Sequence, residues 1–131
     1  MAREKFFQRL PNSATADASR TLEAYCNQNT GLRAYSTTAN TADLRVRMWP
    51  DGRVVLTAAY QPTKETFLCR AYCLPGAITA LGIPSDRVRK PKYPKEPLRS
   101  EFDITPEEYV KHLQAIALAA AASFKNETGA A

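Results

Sequence analysis

One predicted hairpin places three arginines and a tryptophan on the same face, and side chains of these two types can together bind nucleic acid. Two extended runs flank a turn at residues 50–52, where proline, aspartate and glycine follow one another. A three-residue loop would place Trp49 opposite Arg53, so that facing residue numbers add up to 102. One face of the hairpin is then apolar. The other face has no acid, and its residues are Arg45, Arg47, Trp49, Arg53, Val55 and Thr57.

Two further runs, residues 32–37 and 66–74, alternate with the period of a strand and also place arginine beside an aromatic residue. The residues that these runs add to the polar side are Arg33, Tyr35, Arg70 and Tyr72. Guanidinium groups neutralise phosphates, and exposed rings stack on bases without reading their identity. The alternative is that these side chains form only the solvent side of a sheet, or that Trp49 is buried beneath a helix or at an oligomer interface.

A basic, proline-rich segment follows the predicted strands at residues 84–99. It holds four prolines, six cations and two acids, and proline at this density excludes a helix and a central strand. We expect an extended arm that clamps a nucleic-acid backbone or that merely links the sheet to the last helix. Its candidate binding residues are Arg87, Arg89, Lys90, Lys92, Tyr93 and Lys95.

Two amphipathic helices are predicted on either side of these strands. The first extends from Asn12 to Asn29, with Asn12 or Ser13 as a candidate cap and an apolar stripe that begins at Ala14 and Ala18. The second begins with a capping box formed by Thr105 and Glu108, and its apolar stripe reaches Phe124. Residues 125–131 are expected to fray. A single α+β domain over residues 1–131 follows, with an antiparallel sheet of three to five strands, both helices on one face and the other face open.

Charge is distributed unevenly and favours a polyanionic partner. The net charge is +5, but residues 31–100 carry twelve cations and five anions, whereas residues 101–131 carry two cations and five anions. A concentrated positive field attracts polyphosphates. No apolar run approaches the roughly 20 residues that span a bilayer, and the first residues lack a secretory h-region. We therefore expect a cytoplasmic protein without membrane contact, in the host cytoplasm if it is viral.

Little in the sequence predicts catalysis. His112 is the only histidine and lies four residues after Glu108, so it could be an oriented general base, although a solvated helical side chain is the favoured interpretation. The three cysteines, Cys26, Cys69 and Cys73, contain no CxxC pair, and buried reduced thiols are expected rather than disulfides or a zinc site. We predict no enzyme activity, no cofactor and no metal.

Two other functions stay open. A helix-turn-helix module for duplex DNA at residues 77–90 is a minor alternative, although Pro91 would truncate its second helix. The second is a protein-interaction module, such as an inhibitor or adaptor, that presents the same arginine face to an acidic partner.

In size and composition the chain resembles the small accessory proteins that bacteriophages encode for replication or transcription. We predict a non-enzymatic protein that binds single-stranded nucleic acid, DNA in preference to RNA, with little sequence preference. The arginine face and the basic arm would form the binding surface. A polymerase or another replication or transcription protein is a further candidate partner, and a dimer or tetramer is expected because an open sheet leaves edge strands.

Overall fold

A six-stranded antiparallel sheet is the main element of a computed structural model, which describes residues 2–28, 31–37, 43–50, 52–91 and 98–128. The strands are β1 (Leu32–Ser36), β2 (Leu44–Met48), β3 (Val54–Gln61), β4 (Thr66–Ala71), β5 (Val88–Arg89) and β6 (Ser100–Ile104). Their order across the sheet is β1-β2-β3-β4-β6-β5. The predicted α+β class is confirmed, with one strand more than the three to five expected, because two residues of the proline-rich segment pair with β6 as β5.

Two long helices cover one face of this sheet, as predicted. The helices are α1 (Ala2–Arg9), α2 (Ser13–Cys26), α3 (Pro75–Thr79) and α4 (Pro106–Thr128). Helix α2 packs on α4 and β1, and α4 packs on β3 and β4. The alternate residues Leu44, Val46 and Met48 of β2 are buried, whereas Arg45 and Arg47 are half-buried. This period of two directs the apolar residues towards the helices and the arginines towards the opposite face.

Side-chain caps fix the starts of both long helices. The Asn12 carboxamide oxygen accepts the backbone N–H of Thr15 at 2.9 Å. At α4, the Glu108 N–H donates to the Thr105 hydroxyl at 3.2 Å, and the Thr105 N–H donates to the Glu108 carboxylate at 2.8 Å. These bonds satisfy N–H groups that have no partner within the helix. Asn12 is therefore the cap among the two candidates, and the capping box is confirmed.

The contact between α2 and α4 contains polar groups that the apolar pattern did not predict. Tyr109 stacks on Phe67, with ring centroids 3.8 Å apart, and its hydroxyl lies 2.6 Å from the Ser19 hydroxyl. Burial raises the pKa of Tyr109. Thr15 and Ser19 are buried where Ala14 was expected, and Ala14 is exposed. A buried hydroxyl is tolerated because Ser19 also donates to the Thr15 carbonyl.

The two ends of the chain also differ from the prediction. Helix α1 was not predicted, yet it contributes Phe6 to the core and contacts β1. Helix α4 continues to Thr128 instead of fraying from Lys125. Among the described residues, no helix is long and apolar enough to cross a lipid bilayer.

The β2–β3 hairpin keeps the predicted register only in the pairs that lie away from its loop. Facing residues up to Val46 and Leu56 follow the predicted sum of 102, but Arg47 then faces Val54. The extra residue, Val55, forms a bulge and is buried rather than lying on the cationic face. The loop is also longer than three residues, because the Met48 N–H donates to the Arg53 carbonyl at 2.8 Å and the Met48 carbonyl accepts the Gly52 N–H at 2.7 Å.

Residues 75–91 contradict two predictions. Helix α3 is followed by one 3-10 turn at Ser85–Arg87 and then by β5, so no second helix exists here for a helix-turn-helix module. The first half of the expected free arm instead contains this 3-10 turn and the two-residue edge strand β5, which is a position that tolerates flanking prolines. Lys92, Tyr93 and Lys95 lie outside the described residues, so their part in an arm stays a prediction.

Candidate nucleic-acid interface

The face of the sheet opposite α2 and α4 carries several of the predicted binding residues. The β1–β2 register places Arg33 opposite Arg47 and Tyr35 opposite Arg45. Trp49 extends this pairing, since its N–H donates to the Gly31 carbonyl at 2.9 Å. We call this part of the face the cationic half. Its residues are Arg33, Tyr35, Arg45, Arg47 and Trp49.

Two arginine–aromatic contacts form the centre of the cationic half. The Arg33 guanidinium lies 4.9 Å from the ring centroid of Trp49, and the Arg47 guanidinium lies 5.0 Å from that of Tyr35. Arg47 also donates a hydrogen bond to the Tyr35 hydroxyl. Although Arg33 and Arg47 face each other, their head groups turn towards opposite ends of the strands, as expected for like charges. Within the described ranges, neither arginine forms an ion pair, so both keep their charge for a ligand.

Two more cations border this centre. Arg45 Nε lies 3.1 Å from a carboxylate oxygen of Asp43, which also accepts the Thr37 hydroxyl at 2.7 Å. Burial lowers the pKa of Arg45, but Asp43 and Tyr35 outweigh this effect, so that its pKa is raised. Arg45 is thus fixed in place and partly neutralised. Arg53 is exposed next to the hairpin loop, but its carbonyl accepts the Met48 N–H at 2.8 Å, so it lies opposite Met48 and not opposite Trp49 as predicted.

An open depression of about 520 Å³ lies over this centre. The residues that line it are Asn27, Arg33, Ala34, Tyr35, Arg47 and Trp49. The Asn27 carboxamide accepts the Ala34 N–H at 3.1 Å and donates to the Ala34 carbonyl at 3.3 Å. These two bonds occupy backbone groups on the free edge of β1. They also use the donor and the acceptor on one side of the Asn27 carboxamide, which would otherwise bind a base edge together. Trp49, with half of its surface exposed, offers a ring at the rim.

The rest of the same face has arginines but little available charge. Glu101 receives Arg70 and Arg89 on its two carboxylate oxygens, each at 2.8 Å, and Arg89 also reaches Asp103 at 3.3 Å. Burial would raise the pKa of Glu101, but the two guanidinium groups outweigh it and the pKa is lowered. We call Arg70, Arg89, Glu101 and Asp103 the balanced half. Its cations are already neutralised by buried or half-buried carboxylates.

Arg87, a predicted arm residue, serves the fold in a similar way. Its guanidinium bonds to both carboxylate oxygens of Glu108. Arg87 and the Thr105 N–H hold the pKa of Glu108 at about 2, against the opposing effect of burial. Because Glu108 is committed to Arg87 and to the helix cap, it does not orient His112 as the general-base hypothesis required. Lys90 is exposed just after β5. Among the predicted arm residues in the described part of the segment, it is the one that could still contact a ligand.

Tyr72 does not lie on the open face, so its predicted placement is wrong. It is 7% exposed and contacts Phe124 of α4 edge to face, with centroids 5.3 Å apart. The strand alternation fails here because β4 ends at Ala71, and the Tyr72 N–H then bonds to the bulged residue Val55. The Arg99 guanidinium lies 5.2 Å from its ring centroid. Tyr72 is therefore a core residue.

No group of three or more potential metal ligands occurs among the residues that the structure describes. Cys26, Cys69 and Cys73 are buried, as predicted, and burial raises the pKa of Cys26 to about 11. Comparison with protein-family models, with curated proteins and with solved structures finds no match to this chain. The arguments for a function therefore come from the geometry of the open face.

Proposed function

We propose that this protein binds single-stranded nucleic acid, with DNA as the favoured form, and that it does so without catalysing a reaction. The supporting observation is the cationic half itself. Two arginines without a described carboxylate partner lie against two aromatic rings on an uncovered sheet surface. A flexible strand exposes both of the features that such a surface recognises, namely phosphates and unpaired base faces.

Each group in the cationic half has a distinct part in this proposal. Arg33 and Arg47 neutralise phosphates, and their planar head groups can also stack. Trp49 supplies the main stacking surface because half of it is exposed. Tyr35 supplies a second ring, held in position by the hydrogen bond from Arg47. A duplex presents phosphates but hides its base faces, so we expect it to bind more weakly.

Little sequence preference is expected. Sequence is read through hydrogen bonds to base edges, and Asn or Gln carboxamides are common readers of adenine. The carboxamide in the depression belongs to Asn27, which is bonded to both backbone groups of Ala34. Aromatic rings and guanidinium planes remain, and these accept any base.

Fluorescence anisotropy with labelled oligo-dT tests the proposal. Binding to oligo-dT should be tighter than to a duplex of equal length, and unrelated homopolymers, including RNA, should compete. Log affinity should fall with log salt with a slope of about 0.7 for each phosphate contacted. Arg47→Ala and Trp49→Ala should each weaken binding, whereas Arg20→Ala should not.

Arg20 is a matched control for these variants. It lies 4.7 Å from the ring centroid of Phe7 and 3.8 Å from Asp17, but it belongs to α2, on the covered face of the sheet. Its removal therefore deletes the same charge and the same kind of contact away from the interface. Absence of binding to any strand at low salt overturns the proposal and favours an acidic protein partner instead. If Arg20→Ala weakens binding equally, the loss of affinity reflects net charge and not the position of the arginine, which also overturns the proposed surface.

A further inference from the structure

We infer that the bound strand runs along β1 and β2 rather than across the sheet, with two bases on Trp49 and Tyr35 and one nucleotide between them. This inference rests on the proposed function and adds a path and a footprint to it. The three observations behind it are the level of each ring along the strands, the position of the two arginines without a described carboxylate partner, and the carboxylates of the balanced half.

The distance between the two rings follows from the strand pairing. Tyr35 faces Arg45, and Trp49 lies four residues further along β2, where its N–H still bonds to β1. Four residues of antiparallel strand advance about 13 Å. Both rings lie on the open side because each is in contact with an arginine of that side.

The same distance corresponds to two steps of an unstacked strand. Stacked nucleotides are about 3.4 Å apart along one strand, and a strand whose bases are unstacked onto a protein surface extends to roughly twice this rise. Each step then becomes about 7 Å, and two steps span the distance between Trp49 and Tyr35. The bases on the two rings are therefore separated by one nucleotide, which needs no ring of its own.

The arginines lie where the phosphates between these bases must pass. The backbones of Arg33 and Arg47 face each other midway between the levels of Trp49 and Tyr35, and their guanidinium groups reach from there towards the two rings. Three nucleotides joined in one strand contain two internal phosphates, which matches two guanidinium groups without a described counter-ion. The minimal ligand is therefore a trinucleotide, and its two end bases make the stacking contacts.

A path across the sheet would encounter negative charge. The row of facing residues that starts at Tyr35 and Arg45 continues through Thr57 and Arg70 to Glu101. At that end, Glu101 and Asp103 already neutralise the arginines. A phosphate there would gain little attraction and would lie beside two carboxylates, so the path along β1 and β2 is favoured.

Trinucleotides with single abasic positions test this footprint by NMR titration or calorimetry. Loss of the middle base of dT3 should change the affinity less than about 2-fold, whereas loss of either end base should cost about tenfold, as for removal of one stacked base. In Trp49→Ala the penalty should vanish at one end and remain at the other, which also gives the polarity of the strand. Trp49→Phe should restore that penalty.

The order of measurements separates the two proposals. Binding of dT12 is measured first, and its absence would overturn the function together with the footprint. If dT12 binds but the middle base of dT3 matters as much as the ends, the footprint is wrong and the function stands. If Trp49→Ala lowers all three penalties equally, Trp49 supports the fold of the loop and does not hold one end base.

Discussion

The two halves of the open sheet face contain the same kinds of cations but place them against different neighbours. In the cationic half, Arg33 and Arg47 contact aromatic rings. In the balanced half, Arg70 and Arg89 share the carboxylate of Glu101. The comparison shows that the availability of an arginine depends on what faces it across the strands, which the count of charges in a segment does not reveal.

This difference gives the two halves of the face different roles. A half-exposed ring and a guanidinium without a carboxylate contribute little to folding and are available to a ligand. A carboxylate that is largely buried between two guanidinium groups is costly to leave unpaired, so its partners stabilise the fold. The cationic half should therefore control binding, and the balanced half and Arg87 should control stability.

The largest expected effect comes from removing both arginines of the cationic half. Arg33→Gln with Arg47→Gln should weaken oligo-dT binding at least about 100-fold, since each charge-assisted contact contributes about 1.5 to 3 kcal/mol. The salt slope should fall by about 1.4, or 0.7 for each phosphate lost. The melting temperature should hardly change. Anisotropy at several salt concentrations and thermal unfolding by circular dichroism measure the two quantities.

The matched variant is Arg70→Gln with Arg89→Gln, which deletes the same charge from the balanced half. It should lower the melting temperature, because Glu101 loses both partners, and it should leave affinity within about 3-fold at 0.1 M salt, where charges beyond about 10 Å are screened. Equal losses of affinity in the two double variants would show that net charge, and not the position of the arginines, controls binding.

The second prediction concerns acid stability, which should depend on the Arg87–Glu108 pair. The pKa of Glu108 is about 2 in the fold against an ordinary 4.5, so the unfolded chain binds the proton first as the pH falls. The free energy of unfolding should therefore decrease from about pH 4.5 towards pH 2, by at most about 3 kcal/mol from this group. Urea titrations across this range measure it.

Glu108→Gln provides the control for acid stability. It should be less stable than the wild type at pH 7, with a smaller further loss in acid, and its affinity for oligo-dT at pH 7 should be unchanged. A Glu108→Gln protein with the full wild-type pH dependence would assign the acid sensitivity to other carboxylates, of which Glu101 is the next candidate because its pKa is also lowered.

A third, smaller effect is expected from the tryptophan at the rim. Trp49→Ala should weaken oligo-dT binding about tenfold, the loss expected for one stacked base, without lowering the salt slope. Trp49→Phe should retain most of the affinity because a π-face remains. Leu74→Ala, which shortens another exposed apolar side chain, is the control for general surface effects. A reduced salt slope in Trp49→Ala would mean that the variant displaces Arg33 and removes a phosphate contact as well.

Much of the fold could be predicted because local signals agreed with tertiary packing. The strand alternation at Leu44, Val46 and Met48 and the capping box at Thr105 each identify an element from a few neighbouring residues. The bulge at Val55 and the burial of Ser19 could not be predicted in this way. They depend on partners far along the chain, namely the N–H of Tyr72 and the hydroxyl of Tyr109.

The candidate site was predictable in its residue types but not in its extent. Strand alternation and the turn sequence predicted one shared face for Arg33, Arg47 and Trp49, and the structure brings these residues together. The sequence offered no signal that Arg70 and Arg89 would meet Glu101, because these three residues come from three strands. Pairing between distant strands decides which cations are neutralised, and this pairing cannot be derived from a single sequence.

The smallest expected effect is also the sharpest test of the boundary between the halves. Glu101→Gln removes the carboxylate that neutralises Arg70 and Arg89, and Glu107→Gln, an exposed change on α4, raises the net charge equally. If the strand follows β1 and β2, both variants should tighten oligo-dT binding by the same small factor, below about 2-fold at 0.1 M salt. If it crosses the sheet, Glu101→Gln alone should tighten binding by about fivefold or more, with a salt slope raised by about 0.7 for each new phosphate contact. Anisotropy of both variants on one oligonucleotide decides between the paths, because a selective gain in Glu101→Gln would show that the balanced half becomes part of the binding surface once its carboxylate is removed.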